Sequence, residues 1–123
     1  MKLYITVNKE IFLYDDTTVL DIKYWAETSD NTHVYNTNDL NLILDNNFSN
    51  PITYSVISDQ IISGEQVKNK KISLNNNTDS VERKLNLKVV YSTYLTKNLI
   101  ITQLSSEQHV LNAFDFLTLE YNI

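Results

Sequence analysis

The chain has 123 residues, of which 42% are hydrophobic and 20% are charged, and it contains one glycine and no cysteine. This length and apolar content fit one domain with its own core and exclude a disordered tail. The lack of cysteine excludes disulfides and thiolate metal sites, and a single glycine excludes nucleotide-binding loops and a nucleophile elbow. Ten basic and fifteen acidic side chains give a net charge of −5, so nucleic acid is not expected as a partner.

The first 25 residues predict a three-stranded antiparallel meander. A branched aliphatic residue occupies every second position from Leu3 to Val7, which is the period-two pattern of a half-buried strand. Residues 8–10 predict a turn, and residues 11–14 return as the hairpin partner. A second turn at residues 15–18 leads into a third strand over 19–25, whose even-numbered residues share one apolar face.

The middle of the chain predicts polar loops between short strands. Residues 26–39 form the longest loop, and leucine then occupies every second position from 40 to 44. Pro51 stands at the start of the next alternating run, where a missing N–H costs little. Residues 58–66 fit either a strand or a helical turn. The basic cluster at residues 68–71 leads into another short strand.

The clearest strand pattern follows. Residues 75–79, Asn-Asn-Asn-Thr-Asp, predict a loop tip, and apolar residues then occupy every second position from Leu85 to Tyr91. A turn at Lys97-Asn98 is predicted to bring residues 99–104 back as the paired strand. Two serines before Glu107 then predict the start of a short helix near residues 106–115. Alternation over 117–121 predicts a closing strand.

These patterns together predict a mainly β fold of about eight or nine short strands, with at most one short helix near residues 106–115. The predicted architecture is an antiparallel β-sandwich or a barrel-like sheet, and residues 1–123 are predicted to form a single β-rich domain. Because one glycine cannot supply every turn, asparagine and aspartate are predicted to fill the positions of positive φ. They cluster at residues 8, 15–16, 30–31, 45–47, 75–77 and 98.

The candidates for catalysis and metal binding lack a supporting pattern. His33 lies in the long loop and His109 in the predicted helix, without the spacing of a zinc site. Asp15 and Asp16 are adjacent, so in a strand they would point to opposite faces, and a turn role fits better. Ser106 precedes His109 by three residues, but no third group completes a nucleophile–base pair. We therefore expect no enzymatic activity, no cofactor and no metal.

The basic cluster at residues 68–71 contains three lysines, no arginine and no aromatic pair. That is a weak pattern for nucleic-acid binding, and a solvated turn or charge that protects a sheet edge fits better. The candidate partner contacts are instead two aromatic residues in polar loops, Tyr35 and Phe48, because burial against a protein would offset their exposure. The alternative is that both rings fold back onto their own domain.

The composition favours a particular source. The chain has 16 asparagines and 12 isoleucines but only two alanines and one arginine, so residues with A/T-rich codons dominate. Such a bias indicates an AT-rich genome, as in many phages, large viruses and some bacteria. With a β-rich build and no active-site motif, it predicts a non-enzymatic structural or interaction module of a larger assembly. The expected form is a small virion component, such as a head accessory, neck or tail protein.

The expected partners are proteins, either copies of this chain in a homo-oligomer or neighbouring assembly subunits. The alternative function is a small acidic inhibitor or immunity-type protein that occludes a host enzyme or toxin. The first apolar run is interrupted at Thr6 and ends at Asn8, too short for a secretory signal, and no stretch approaches the ~18 apolar residues of a membrane span. We therefore expect a location in a virion or in the cytoplasm of the producing cell, without export through a signal peptide and without a membrane partner.

Overall fold

The computed structural model describes residues 1–30, 37–62, 64, 66–93 and 95–107, which form a mainly β fold. The strands are β1 (Lys2–Val7), β2 (Ile11–Phe12), β3 (Leu20–Glu27), β4 (Leu40–Asp45), β5 (Tyr54–Ile62), β6 (Val67–Leu74), β7 (Arg83–Tyr91) and β8 (Leu95–Gln103). A 3₁₀ turn at Thr37–Asp39 precedes β4. The prediction of a mainly β fold with about eight short strands is confirmed.

The strands form two four-stranded sheets that pack as a sandwich. Sheet A has the order β1-β3-β6-β5, and sheet B has the order β2-β8-β7-β4. Apolar side chains of both sheets fill the space between them: Leu3, Phe12, Leu20, Ile22, Tyr24, Ala26, Leu40, Ile52, Ile72, Leu74, Leu85, Leu87, Val89, Tyr91 and Ile101. The described strands do not close into a barrel, so the sandwich is the predicted architecture that the structure adopts.

The central strands β3 and β7 follow the predicted alternation. Leu20, Ile22 and Tyr24 of β3 are buried, and the residues between them are more exposed. β7 repeats the pattern, with every second residue from Leu85 to Tyr91 in the core. Because successive side chains of a strand point to opposite faces, one face of each strand packs against the other sheet.

The predicted three-stranded meander is wrong, because β2 belongs to the other sheet. β1 pairs directly with β3, whereas β2 runs parallel to β8. The backbone N–H of Thr102 donates to the Glu10 carbonyl at 2.9 Å. The N–H of Leu104 donates to the Phe12 carbonyl at 2.8 Å. The chain therefore crosses from sheet A to sheet B after Asn8 and places the Phe12 ring, which is fully buried, in the core.

The predicted turn at Lys97-Asn98 is also wrong. The turn between β7 and β8 lies at Ser92 and Thr93, and Lys97 and Asn98 lie within β8. There the Asn98 Oδ1 accepts a hydrogen bond from Asn86 Nδ2 on the neighbouring strand at 3.0 Å. An asparagine with such a cross-strand partner fits a strand as well as a turn.

Asparagine and aspartate shape the turns through their side chains rather than through positive φ. Among the described residues, positive φ occurs at Gly64, Gln66 and Ser92, so the prediction that asparagine and aspartate fill these positions is wrong. Asp45 instead accepts a hydrogen bond through Oδ1 from the backbone N–H of Asn47, two residues on, at 3.0 Å. Such a bond fixes the turn without a left-handed backbone.

Asp16 shows the same turn chemistry with a charge added. Its Oδ1 accepts a hydrogen bond from the N–H of Thr18 at 2.9 Å, and its Oδ2 forms an ion pair with Lys9. Burial on its own raises the pKa of this carboxyl, but the bonds from Lys9 and Thr18 outweigh it and lower the pKa from its usual 3.8 to about 2. Asp16 therefore serves the turn, as the sequence predicts.

We expect Asp16 to make the free energy of unfolding depend on pH below about pH 4. Its folded pKa lies below the unfolded value, so its stabilisation is complete above pH 3.8 and is lost as the pH falls through about 2. The contribution is about 1 kcal/mol, because solvent partly screens the pair. Urea unfolding of the native chain and of Asp16→Asn measures it, and the difference should shrink from about pH 5 to about pH 2. The exposed neighbour Asp15 provides the control. If Asp15→Asn changes the free energy of unfolding with pH as much as Asp16→Asn does, the pH dependence does not come from Asp16.

Several predictions fall on the end of the chain. Ser106 and Glu107 are helical, as expected for the start of the helix near residues 106–115. The rest of that helix and the closing strand at 117–121 lie outside the described residues. The single domain over residues 1–123 stays a prediction.

Candidate protein-contact surfaces

Phe48 is the predicted contact residue that the structure describes. It lies in the loop that follows β4, is partly exposed and is not among the residues of the core cluster. The other predicted contact, Tyr35, lies outside the described residues, as do His33 and His109. Of these four residues, Phe48 is therefore the one whose surroundings the structure describes.

Phe48 lines a shallow depression of about 330 Å³. The other residues of this Phe48 depression are Ser49, Asn50, Val81, Glu82 and Lys84. Val81 is an exposed aliphatic residue, and Lys84 Nζ lies 3.4 Å from Glu82 Oε1. Two apolar side chains next to an ion pair have the composition of a protein-contact patch, with an apolar centre and a polar rim.

Hydrogen bonds from Asn50 tie the loop of Phe48 to the chain before β7. The Asn50 side chain donates through Nδ2 to the Glu82 carbonyl at 2.9 Å and to the Val81 carbonyl at 3.3 Å. The Asn50 carbonyl accepts a hydrogen bond from the N–H of Lys84 at 3.0 Å. These bonds hold Phe48 and Val81 on one patch of surface.

A second apolar surface lies along β5, which pairs with β6 and forms one edge of sheet A. Val56, Ile57 and Ile61 are each slightly more than half exposed, at 53%, 53% and 52%. We call β5 with these three side chains the β5 edge. Sequence reasoning missed it, because an alternating run is normally assigned a buried face. The signal was present in the adjacent pairs Val56-Ile57 and Ile61-Ile62, which break strict alternation.

The limit of the core runs between β6 and β5. Val56 lies opposite Ile72 of β6, so the two side chains share one face of sheet A. Ile72 is fully buried, whereas Val56 is more than half exposed. The core-facing side of sheet A is therefore covered at Ile72 of β6 but left open to solvent at Val56 of β5.

A β-bulge interrupts β5 at Ile57. Val56 pairs with Ile72 and Ser58 pairs with Lys71, which leaves Ile57 without an opposite residue on β6. The Ser58 hydroxyl is buried and has no hydrogen-bond partner among the described residues. A bulge increases the local twist and restricts which strands can pair with an edge.

The basic cluster at residues 68–71 lies in β6, so the prediction of a solvated turn is wrong. β6 is an inner strand of sheet A, between β3 and β5. Lys68 donates through Nζ to the Leu40 carbonyl at 2.6 Å, and Lys70 Nζ lies 3.4 Å from Asp59 Oδ2. Asp59 is the one charged residue within β5, and Lys70 offsets its charge.

The titratable groups of the described residues form no reactive cluster. No group of three or more histidine, aspartate or glutamate side chains in residues 1–30, 37–62, 64, 66–93 and 95–107 could hold a metal ion. Burial, and to a smaller extent Asp59, raises the pKa of Tyr24 to about 12, so its phenol stays neutral at physiological pH. The absence of enzymatic activity stays a prediction.

Family models, curated proteins and solved structures were compared with the chain, and none matches it. In the part of the chain that the structure describes, no helix has the length and apolar character needed to cross a membrane. The functional inference therefore depends on the Phe48 depression and the β5 edge.

Proposed function

We propose that this protein is a non-enzymatic interaction module that joins neighbouring subunits of a larger assembly, as a small virion component such as a head accessory, neck or tail protein. The β5 edge supports this proposal: a nine-residue strand at a sheet edge carries three exposed aliphatic side chains. The unpaired N–H and C=O groups of an edge strand are a template for a strand from another chain.

The energetics of the β5 edge fit a subunit with several neighbours. Complete burial of an aliphatic side chain contributes about 1.5–3 kcal/mol, so three half-exposed ones contribute about 3 kcal/mol together. Association costs at least about 4 kcal/mol of translational and rotational freedom. Side-chain burial along one edge therefore does not suffice alone, and simultaneous contacts with several neighbours make the binding strong.

The composition supports the viral form of the proposal. The abundance of asparagine and isoleucine and the scarcity of alanine and arginine fit an AT-rich genome. A net charge of −5 favours protein subunits over packaged nucleic acid as the surface that this chain contacts. The proposed location is the virion, or the cytoplasm of the cell that produces it.

The Phe48 depression favours a second candidate, a small acidic inhibitor or immunity-type protein. A single aromatic residue on a loop held by hydrogen bonds is a suitable anchor for a pocket on one enzyme or toxin. The acidic net charge fits a basic target surface. The two candidates therefore use different surfaces and can be separated by substitution.

The test is fractionation of the untagged chain from the cells or particles that produce it, with mass spectrometry of each fraction. We expect the chain in the assembled-particle fraction at a fixed ratio to its neighbours. Ile61→Lys should reduce its retention there at least tenfold, because the interface would have to bury an unpaired charge. Val81→Lys, at an equally exposed aliphatic residue of the Phe48 depression, should be retained like the native chain.

Two other results contradict the proposal. A defined complex with one enzyme that is lost in Val81→Lys and kept in Ile61→Lys establishes the inhibitor instead. Turnover of a substrate by amounts of protein far below the substrate concentration excludes both candidates.

A further inference from the structure

The described chain ends close to the start of β5. Gln103, the last residue of β8, donates through Nε2 to the Asn75 carbonyl at 2.7 Å. The Asn75 N–H in turn donates to the carbonyl of Thr53, the residue before β5, at 2.9 Å. One asparagine thus connects the end of β8 to the start of β5. The segment that follows Glu107 therefore begins near the first residues of the open edge of sheet A.

That segment, residues 108–123, lies outside the described residues, and its sequence suits an open strand edge. From Leu117 to Tyr121 every second residue is apolar, which is the pattern of a strand with one apolar face. The nine residues over 108–116 reach about 30 Å when extended, which is the length of the nine-residue strand β5. Residues 117–121 can therefore reach any part of β5.

The second half of β5 has the length and the regular pairing that a short strand needs. After the bulge at Ile57, residues 58–62 pair with β6 without a further register shift. This run of five residues equals the length of the alternating run 117–121. A five-residue strand lies entirely on one side of the bulge, so the extra residue does not disturb its hydrogen bonds.

We propose that residues 117–121 pair with residues 58–62 of β5 in the same chain and cover this half of the β5 edge until a neighbouring subunit displaces them. This inference rests on the proposed function and adds a regulation of the same edge. An open edge strand is a template for uncontrolled pairing between chains. A cover that a neighbour displaces keeps the free chain from associating before assembly.

Apolar burial favours this placement. Ile61 lies opposite Lys68, whose Nζ reaches the Leu40 carbonyl of sheet B, so Ile61 is on the core-facing side of sheet A. Its side chain is 52% exposed, because no described strand lies on the open side of β5. The apolar residues of an added strand, at every second position, lie on one face of the sheet and extend the core beside Ile61.

Charge complementarity favours the same placement. The basic cluster of β6 lies directly beside the proposed site, since Ser58, Asp59 and Ile61 pair with its three lysines. Asp59 is the one carboxylate of β5, and Asp21 lies opposite Lys71 on β3, so the lysines remain in excess. Residues 108–123 contain two carboxylates and no lysine or arginine. An acidic segment thus meets the basic part of an otherwise acidic protein.

The covalent connection makes a small contact sufficient. Five paired residues bury far less than the about 800 Å² on each partner that a stable interface between separate proteins needs. A tethered strand instead meets its site at an effective concentration of about millimolar, and it does not lose the translational freedom of a separate partner. The same small contact allows a neighbouring subunit with further contacts to replace it.

Hydrogen exchange of the isolated full chain, followed residue by residue by NMR, tests this cover. Within residues 58–62, the N–H groups that point away from β6 exchange fast on an open edge and slowly under a paired strand. We expect slow exchange in the native chain, and Leu119→Ala should accelerate it at least tenfold. Thr118→Ala is the matched control and should change it less than twofold, because adjacent residues of a strand point to opposite faces. Exchange in β3 should stay unchanged, which excludes global unfolding.

Three results overturn the cover: fast exchange of these amides in the native chain, equal acceleration by the two variants, or protection that falls on dilution, which assigns the covering strand to another copy. The first and third results need no variant. Failure of the proposed function is separate, because it is measured in particle fractions. Absence from those fractions with slow exchange overturns the proposed function alone, and retention there with fast exchange overturns the cover alone.

Discussion

Replacing Phe12 by alanine is expected to lower the free energy of unfolding by about 3–5 kcal/mol. The ring is fully buried and belongs to the core cluster, although its strand β2 has only two residues. Truncation removes the transfer free energy of the ring and leaves a cavity between the sheets. Hydrogen bonds at Glu10 and Phe12 tie β2 to β8, so the backbone has little freedom to close that cavity.

Urea unfolding of the native chain, Phe12→Ala and Ile11→Ala measures this effect. Ile11 precedes Phe12 and is 60% exposed, so its truncation should change the free energy of unfolding by less than about 0.5 kcal/mol. If Phe12→Ala does not fold, Phe12→Leu should fold with a smaller loss, because it keeps most of the apolar volume. Similar losses for the variants at positions 11 and 12 contradict the burial of the Phe12 ring between the sheets, because adjacent residues of a strand point to opposite faces.

The strands that the sequence predicts best are those with the strongest alternation. In β3 and β7 every second residue is apolar, and the same residues form the core. Pairing was harder to predict, because alternation reports which face is buried and not which strand lies alongside. Residues 11–14 follow β1 after a short turn, which suggested a hairpin, yet the buried Phe12 ring lies beside β8, about 90 residues later in the chain.

The contact surfaces were predictable only in part, because the sequence pattern does not tell which strands lie side by side. Phe48 is recognisable as an aromatic residue between polar neighbours, and the structure places it in a surface depression. The exposure of Val56, Ile57 and Ile61 depends instead on β5 lying at an edge of sheet A, which the order of strands determines. No local pattern encodes that order. In an inner strand Val56, which lies opposite the buried Ile72, would be a core residue.

Asn77→Ala is expected to lower the free energy of unfolding by about 2–3 kcal/mol. Residues 75–79 look like an exposed loop tip in sequence, yet Asn77 is only 3% exposed. Its Nδ2 donates to the Val81 carbonyl at 2.9 Å and to the Leu104 carbonyl at 3.3 Å. Alanine leaves the buried Leu104 carbonyl without this donor and leaves the Val81 carbonyl with the 3.3 Å bond from Asn50 Nδ2. The loss at a buried carbonyl costs more than the loss of a solvent-exposed hydrogen bond.

The neighbouring asparagine provides a matched control for this substitution. Asn76 is exposed, and the bond it makes to Arg83 uses its backbone carbonyl, which alanine retains. Asn76→Ala should therefore change the free energy of unfolding by less than about 0.5 kcal/mol. Thermal or urea unfolding measures the free energy of unfolding of the two variants. Equal losses of this free energy in Asn77→Ala and Asn76→Ala contradict the role of the Asn77 amide. A large difference shows that this amide fastens the loop to Leu104, which directly follows β8 and lies 27 residues later in the chain than Asn77.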